Sequence, residues 1–202
     1  MKAECKVIVK KDSSGKDSAG REYVDLSLPG GVLWASWNIG ASKAEDYGLY
    51  FAWGETTGYA KGESHSFDMD NYSYKEDRDL DAAHDAATAN WGSGWRMPTV
   101  QEIIDLCDSK YTTTEWVTVN GVNGCKITSK SNGNSIFLPA AGYRYDASLY
   151  NEGSWGYCWS SSLYTSFSSY AFSLYFNSSY IDWSKYDRYY GRSVRAVRVA
   201  SE

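Results

Sequence analysis

Residues 95–107 read WRMPTVQEIIDLC, and residues 116–130 read WVTVNGVNGCKITSK. Thr99 stands three residues ahead of Glu102, the capping-box spacing in which each side chain serves the other's backbone amide, so a helix begins there. Ile103, Ile104, Leu106 and Cys107 then fall on one stripe, the face that such a helix buries. The run after it alternates apolar and polar residues about a glycine-bearing turn, which is the pattern of a hairpin. This part of the chain therefore reads as a helix followed by a hairpin.

Outward from this centre the text stays strand-like. Toward the C-terminus, SNGNSIFLPAAGY (131–143), YCWSSS (157–162), SYAFSLYFN (169–177) and SVRAVRVA (193–200) each read as a short strand. Toward the N-terminus, VDLSL (24–28) alternates, Pro29-Gly30-Gly31 turns, and VLWASWNI (32–39) is apolar enough for an interior strand. Ser42 and Glu45 repeat the capping-box spacing and predict a short helix, which Gly48 and Gly54 would stop. Residues 56–90 form a polar excursion with one helical turn expected in LDAAHDAATAN (80–90). Residues 1–22, with an alternating run from Cys5 to Lys10, read as a strand or linker remnant, and residues 23–202 as the domain.

The chain has 202 residues, a net charge of −5 and an aromatic content of 16%. An acidic chain without clustered Lys and Arg argues against nucleic acid as a partner, since phosphate binding depends on such clusters. No apolar run is long enough for a membrane helix, so no direct membrane span is expected, and the first residues lack the apolar stretch of a signal peptide or a lipidation site at Cys5. Cys5, Cys107, Cys125 and Cys158 follow no metal spacing, and Cys107 with Cys125 is open to either a disulfide or two reduced thiols.

Composition is most biased between Tyr143 and Arg192, which hold 11 of the 18 tyrosines and 12 serines. Tyrosine gives a large, stiff, amphipathic contact and serine an adaptable hydrogen-bonding spacer, the mixture found in antibody paratopes. Alternation in AFSLYFN sets Phe172, Leu174 and Phe176 on one face and Ser173, Tyr175 and Asn177 on the other, so that Tyr175 can meet a ligand while Leu174 and Phe176 pack. In SSYIDWSKYD it pairs Ile181 with Trp183 on one face and Tyr180, Asp182 and Ser184 on the other. Val194 and Val197 break the alternation near the C-terminus, which predicts a bulge or a shifted register.

Five motifs in order, GLYFAWGET (48–56), WGSGWRMPT (91–99), NGNSIFLPAAGYR (132–144), YCWSSS (157–162) and GRSVRAVR (191–198), resemble the paralogous surface-protein domain of gut bacteria. That domain is related to the formylglycine-generating-enzyme branch of the C-type lectin-like fold. The Tyr- and Ser-rich stretch resembles the variable region of proteins diversified by retroelements. The resemblance implies an α+β class, a C-type lectin-like fold of short antiparallel strands and two helices, with a ligand-binding face built by about residues 143–192.

In such variable proteins template adenines are copied promiscuously, so that Asn codons become Tyr, Ser, Asp, Phe or Cys. The residues reachable that way are the expected ligand contacts: Tyr150, Tyr157, Cys158, Tyr164, Phe167, Tyr170, Tyr175, Tyr180, Asp182, Ser184, Tyr186, Asp187, Tyr189 and Tyr190. Trp155, Trp159, Trp183 and Lys185 are not reachable. The implied ligand is a protein or cell-surface structure, met outside the cell, at the cell surface or from a phage particle.

Rival chemistries find little support. The Glu-Pro-Asn, Gln-Pro-Asp and Trp-Asn-Asp tripeptides of calcium-dependent lectins are missing, and Asp68, Asp70 and Asn71 read as a solvated loop, so no metal and no cofactor is expected. Oxidation of the formylglycine-generating type uses two cysteines near the C-terminal end, where only Cys158 lies, and His65 and His84 fall in the polar excursion. No catalytic residue is assigned; a fixed-sequence adhesive surface protein is the main alternative and an oxidase relative the lesser one. Arg96, Arg144, Arg195 and Arg198 read as structural residues that hold loops, with Asp25 or Glu55 as example partners.

Overall fold

The computed structural model describes residues 14–199. Twelve strands and two short helices make it up: β1 Gly15–Lys16, β2 Glu22–Asp25, β3 Val32–Ala35, α1 Ala86–Trp91, α2 Val100–Cys107, β4 Thr112–Val119, β5 Val122–Ser129, β6 Ser135–Pro139, β7 Tyr143–Tyr145, β8 Ser148–Tyr150, β9 Gly156–Leu163, β10 Tyr170–Phe176, β11 Ile181–Asp187 and β12 Val197–Val199. They form four small sheets, ordered β1-β2-β3-β12, β4-β5-β6, β7-β8 and β11-β10-β9, and every pairing of named strands is antiparallel.

With 39% of the described residues in strands or bridges and 8% in helix, the fold is largely β. The expected α+β class is therefore corrected. Both helices are too short to form a layer, and local chemistry explains why. Asp85 caps α1 through Thr88 N, and the helix ends six residues on at Gly92, whose φ of 92° a side chain would resist. The helix expected at Ser42 does not form. Asp46 takes the Ser42 amide and hydroxyl at 3.2 Å each, and the Glu45 carboxylate turns away to accept from Asn120 Nδ2 at 2.8 Å. The Cys5–Lys10 run lies outside the described residues.

Where the local signals agree with one another, the elements form as the residues dictate. The capping box at α2 is complete: Glu102 N donates to Thr99 Oγ1 and Thr99 N to Glu102 Oε2. Glu102 also receives both terminal nitrogens of Arg96, at 2.8 and 2.6 Å. Burial opposes the Glu102 charge, but the Arg96 and Thr99 hydrogen bonds win and hold its carboxyl below the ordinary range. The β4–β5 hairpin turns on Asn120-Gly121, both at positive φ, the two-residue turn whose twist suits antiparallel strands.

Two main cores result. Leu26, Trp34, Ile103, Leu106, Ile127, Leu138, Leu174 and Phe176 fill the first, beneath α2. Phe51, Trp53, Trp95, Met97, Trp159 and Val194 fill the second. Residues 191–197 are buried between them and bridge Arg144, Phe51, Cys158 and Arg96 in turn. The expected irregularity near Val194 takes this form of scattered bridges, while the register shift of the β9–β10 ladder falls between Ala171 and Ser173. Arg195, expected to hold a loop, does so through Asn38 Oδ1 and the carbonyls of Ala35 and Phe137. Cys107, Cys125 and Cys158 are free thiols, so the Cys107–Cys125 disulfide is not formed.

Candidate functional site

The β11-β10-β9 sheet packs one face against α2, and its other face is buried at Trp159 and Ser173 but opens outward at Tyr175 and Asp182. Alternation decides which residue goes where. Leu174, Phe176 and Ile181 meet the first core, whereas Tyr175 pairs across the ladder with Asp182 and with Tyr157. Tyr175 touches Trp155, Tyr180 and Tyr186 at centroid distances of 6.3, 5.8 and 6.1 Å. Tyr157 continues the cluster to Tyr143 at 5.3 Å and to Tyr186 at 6.1 Å.

The β7–β8 hairpin supplies the other half. Tyr143 and Tyr150 are cross-strand partners and stack at 5.5 Å. Tyr143 and Tyr145 both touch Tyr190, and Tyr145 touches Tyr189. Trp155, Tyr143, Tyr145, Tyr150, Tyr157, Tyr175, Tyr180, Tyr186, Tyr189 and Tyr190 are thus one continuous aromatic surface from two sheets, the loop before β9, the β10–β11 turn and the loop after β11. Its depth is graded: Tyr150 and Tyr180 are 41% and 47% exposed, and Tyr157 is 6% exposed.

The expected contacts divide on this geometry. Tyr150, Tyr157, Tyr175, Tyr180, Tyr186, Tyr189 and Tyr190 join the cluster, with Asp182 and Ser184 on the same side of β11 by alternation. Cys158 points the other way into the first core, because Tyr157 beside it points out. Tyr164 and Phe167 form a separate group with Phe172, Trp183 and Lys185 on the opposite side of the sheet. Tyr170 and Asp187 pair at the end of the β10–β11 ladder, both half-buried, on that same opposite side. Trp155, Tyr143 and Tyr145 were not among the expected contacts. The codon argument set Trp155 aside, yet three of the tyrosine rings rest on it.

Beneath the cluster lies Arg192, 1% exposed. Its guanidinium carbon stands 3.7 Å from the centre of the Tyr186 ring, 4.6 Å from Tyr157 and 4.7 Å from Trp159. Burial pulls its pKa down to about 10, against the pull of the surrounding phenols. Burial likewise pushes the Tyr186 phenol up to about 12, with the Arg192 charge acting in the opposite sense.

The aromatic face is a broad surface, and most of the cavities are lined by other residues. One of about 660 Å³ is lined by Glu55, Tyr59, His65, Ser73 and His84 of the polar excursion. A smaller hollow of about 260 Å³ borders the face at Tyr189 and Asp187. Among the described residues no group of three or more His, Cys, Asp or Glu is placed to hold a metal ion. No helix of the described residues is long and apolar enough to cross a membrane.

One protein family, described as a domain of unknown function (DUF8237), matches residues 114–197. That stretch runs from β4 to the start of β12 and includes the whole aromatic face. No curated protein and no solved structure matches the chain.

Proposed function

We propose that this protein is a non-enzymatic ligand-binding protein whose aromatic face grips a protein or cell-surface ligand, in the manner of the variable proteins of diversity-generating retroelements. The observation that carries this reading is the continuous surface of ten aromatic rings, nine of them tyrosine, from Tyr143 to Tyr190. Such rings give contact area at little cost in side-chain entropy, and a few central ones dominate binding. A broad aromatic face, with the cavity of about 660 Å³ lined by other residues, suits a macromolecule better than a small ligand, which prefers an enclosing cavity. On this reading the face is presented outside the cell or on a phage particle.

Sequencing the locus across a population tests the proposal. The expected result is variation concentrated at the codons for the outward residues of 143–190, with a near-copy of the same DNA and a reverse-transcriptase gene nearby. An invariant face, with variation spread evenly over the chain, would leave the fixed-sequence adhesive reading in its place.

A further inference from the structure

The residue behind the aromatic face bears on the chemical group its ligand brings, an inference that rests on the ligand-binding reading. Arg144, Arg188, Arg192 and Arg195 are all buried. Three of them end on fixed acceptors. Arg144 donates to the carbonyls of Ala60, Glu63 and His65; Arg188 to the Tyr72 hydroxyl and the carbonyls of Tyr74 and Ser168; Arg195 to Asn38, Ala35 and Phe137. Arg192 differs: its Nε and Nη1 are buried with no hydrogen-bond partner, and among the described residues no carboxylate makes an ion pair with it.

Ring faces attract a guanidinium through their quadrupole, but they do not take up its in-plane N–H groups. The aromatic shell therefore accommodates the charge and leaves the donors unused. Of the rings around it, Trp159 is fully enclosed and Tyr157 nearly so. Tyr186 is half-buried, stacks closest, and stands on β11, an edge strand of its sheet. Tyr143 and Tyr190, also half-buried, stand farther off at 5.9 Å each, so Tyr186 is the one partly open ring in direct contact with the guanidinium.

We propose that Arg192 is the floor of an oxyanion subsite at the centre of the aromatic face, with Tyr186 as its movable cover. A carboxylate or phosphate group carried by the ligand accepts from the guanidinium once the ring has swung out, as oxyanions commonly do from arginine. Binding exchanges a cation–π contact for charge-assisted hydrogen bonds. No bond is made or broken in the step.

The test is nuclear magnetic resonance of the full chain with its arginines labelled with nitrogen-15, following the Arg192 Nε–H signal. The probes are N-acetyl-L-glutamate, inorganic phosphate and neutral N-acetyl-L-glutamine, each against sodium chloride of matched ionic strength. At least one of the two anions should shift the signal saturably while the neutral amide does not. Glutamate alone would define a carboxylate site, phosphate alone a phosphate site, and both a general oxyanion site. Tyr186→Ser, which removes the cover, should tighten binding about tenfold or more. Arg192→Gln should abolish the anion-induced shifts of the surrounding tyrosine ring signals, and Arg192→Met, which likewise removes the cationic donors, serves if the glutamine variant does not fold.

The proposal is overturned if chloride gives the same shift, if folded Tyr186→Ser shows no saturable response, or if the tyrosine shifts persist without Arg192. None of these outcomes touches the population-sequencing test, so the ligand-binding reading stands or falls separately.

Discussion

The Arg192 guanidinium and the Tyr186 ring are stacked 3.7 Å apart beneath the outward face of the β11-β10-β9 sheet. A desolvated cation–π pair contributes on the order of 2 kcal/mol, and the ring adds its own buried area. Tyr186→Ala is therefore expected to cost about 3 kcal/mol of unfolding free energy. Tyr186→Phe, which keeps the ring, should cost less than about 1 kcal/mol. Urea unfolding of both variants measures this, and equal losses would place the stabilisation in the hydroxyl instead.

Depth within the face predicts which tyrosines can change freely. Tyr180, at the turn between β10 and β11, is 47% exposed, whereas Tyr157 is 6% exposed. Tyr180→Ala should stay within about 0.5 kcal/mol of the parent, and Tyr157→Ala should lose about 3 kcal/mol. Thermal melts separate the two; a large loss at Tyr180 would make it a structural residue.

Alkali should unfold the protein through its phenols. Burial, with Tyr47 and Glu152 nearby, keeps the Tyr50 phenol neutral well above the ordinary range; its hydroxyl donates to the Ala141 carbonyl at 2.6 Å. Tyr186 is pushed up to about 12. Unfolded tyrosines ionise near pH ~10, so above that value the unfolded chain releases protons that the folded chain retains. Stability conferred by these groups is complete below pH ~10 and is lost as pH rises through the folded values. Arg192 acts oppositely, because its folded pKa lies below the unfolded one, but it is a single group against several phenols. Urea midpoints should fall steadily above pH ~10, and less steeply in Tyr50→Phe. A flat profile would contradict the burial of these rings.

Gly156 lies directly against Phe176. A Cβ at that position would stand 2.0 Å from the Phe176 Cζ. Gly156→Ala should therefore destabilise by about 1–3 kcal/mol through overpacking, and Phe176→Leu should recover part of that loss in the double variant. Strict additivity in the double-mutant cycle would rule out the contact as the cause.

The described cysteines should be inert in the native state. Burial pushes Cys125 to about 12 and Cys158 to about 11, and raises Cys107 further. Thiolate is the reacting form, so iodoacetamide at neutral pH should leave all three unmodified until denaturant is added. Peptide mapping after alkylation reads the result, and rapid native labelling at Cys107 would show that α2 opens.

Strand alternation was the most legible signal in the chain. It set Tyr175 out and Leu174 and Phe176 in, because a side-chain period of two leaves no intermediate choice once one face is buried. The capping box at Thr99 was legible because its two bonds and its apolar stripe agreed. The same spacing at Ser42 misled, since Asp46 competes for the Ser42 oxygen and Glu45 is drawn to Asn120, a partner 75 residues distant. Local motifs do not reveal such rivals.

The centre of the site was less legible than its rim. Codon chemistry selected residues by type, so it included Cys158, which faces the core, and omitted Trp155, which the tyrosines need as a platform. Arg192 carried a signal that went unread: Arg188, Arg192, Arg195 and Arg198 are spaced by four, three and three residues, with Tyr189 and Tyr190 among them. Their separate roles depend on long-range partners. The acid that holds Arg96 is Glu102, and the acceptors for Arg195 lie on Ala35, Asn38 and Phe137, which only the closed fold brings together.

The burial of residues 191–197 has a consequence for the order of events during synthesis. β3 finds its second neighbour in β12, and Phe51 pairs with Arg192, across some 140 to 160 positions of chain. Until residues 194–199 have been made, the edge of β3 away from β2 has no partner and the second core lacks Val194 and Ala196. Contacts this remote form slowly and cannot be exchanged for local ones. The aromatic face, whose floor is Arg192, is therefore complete only once residues 191–197 have docked.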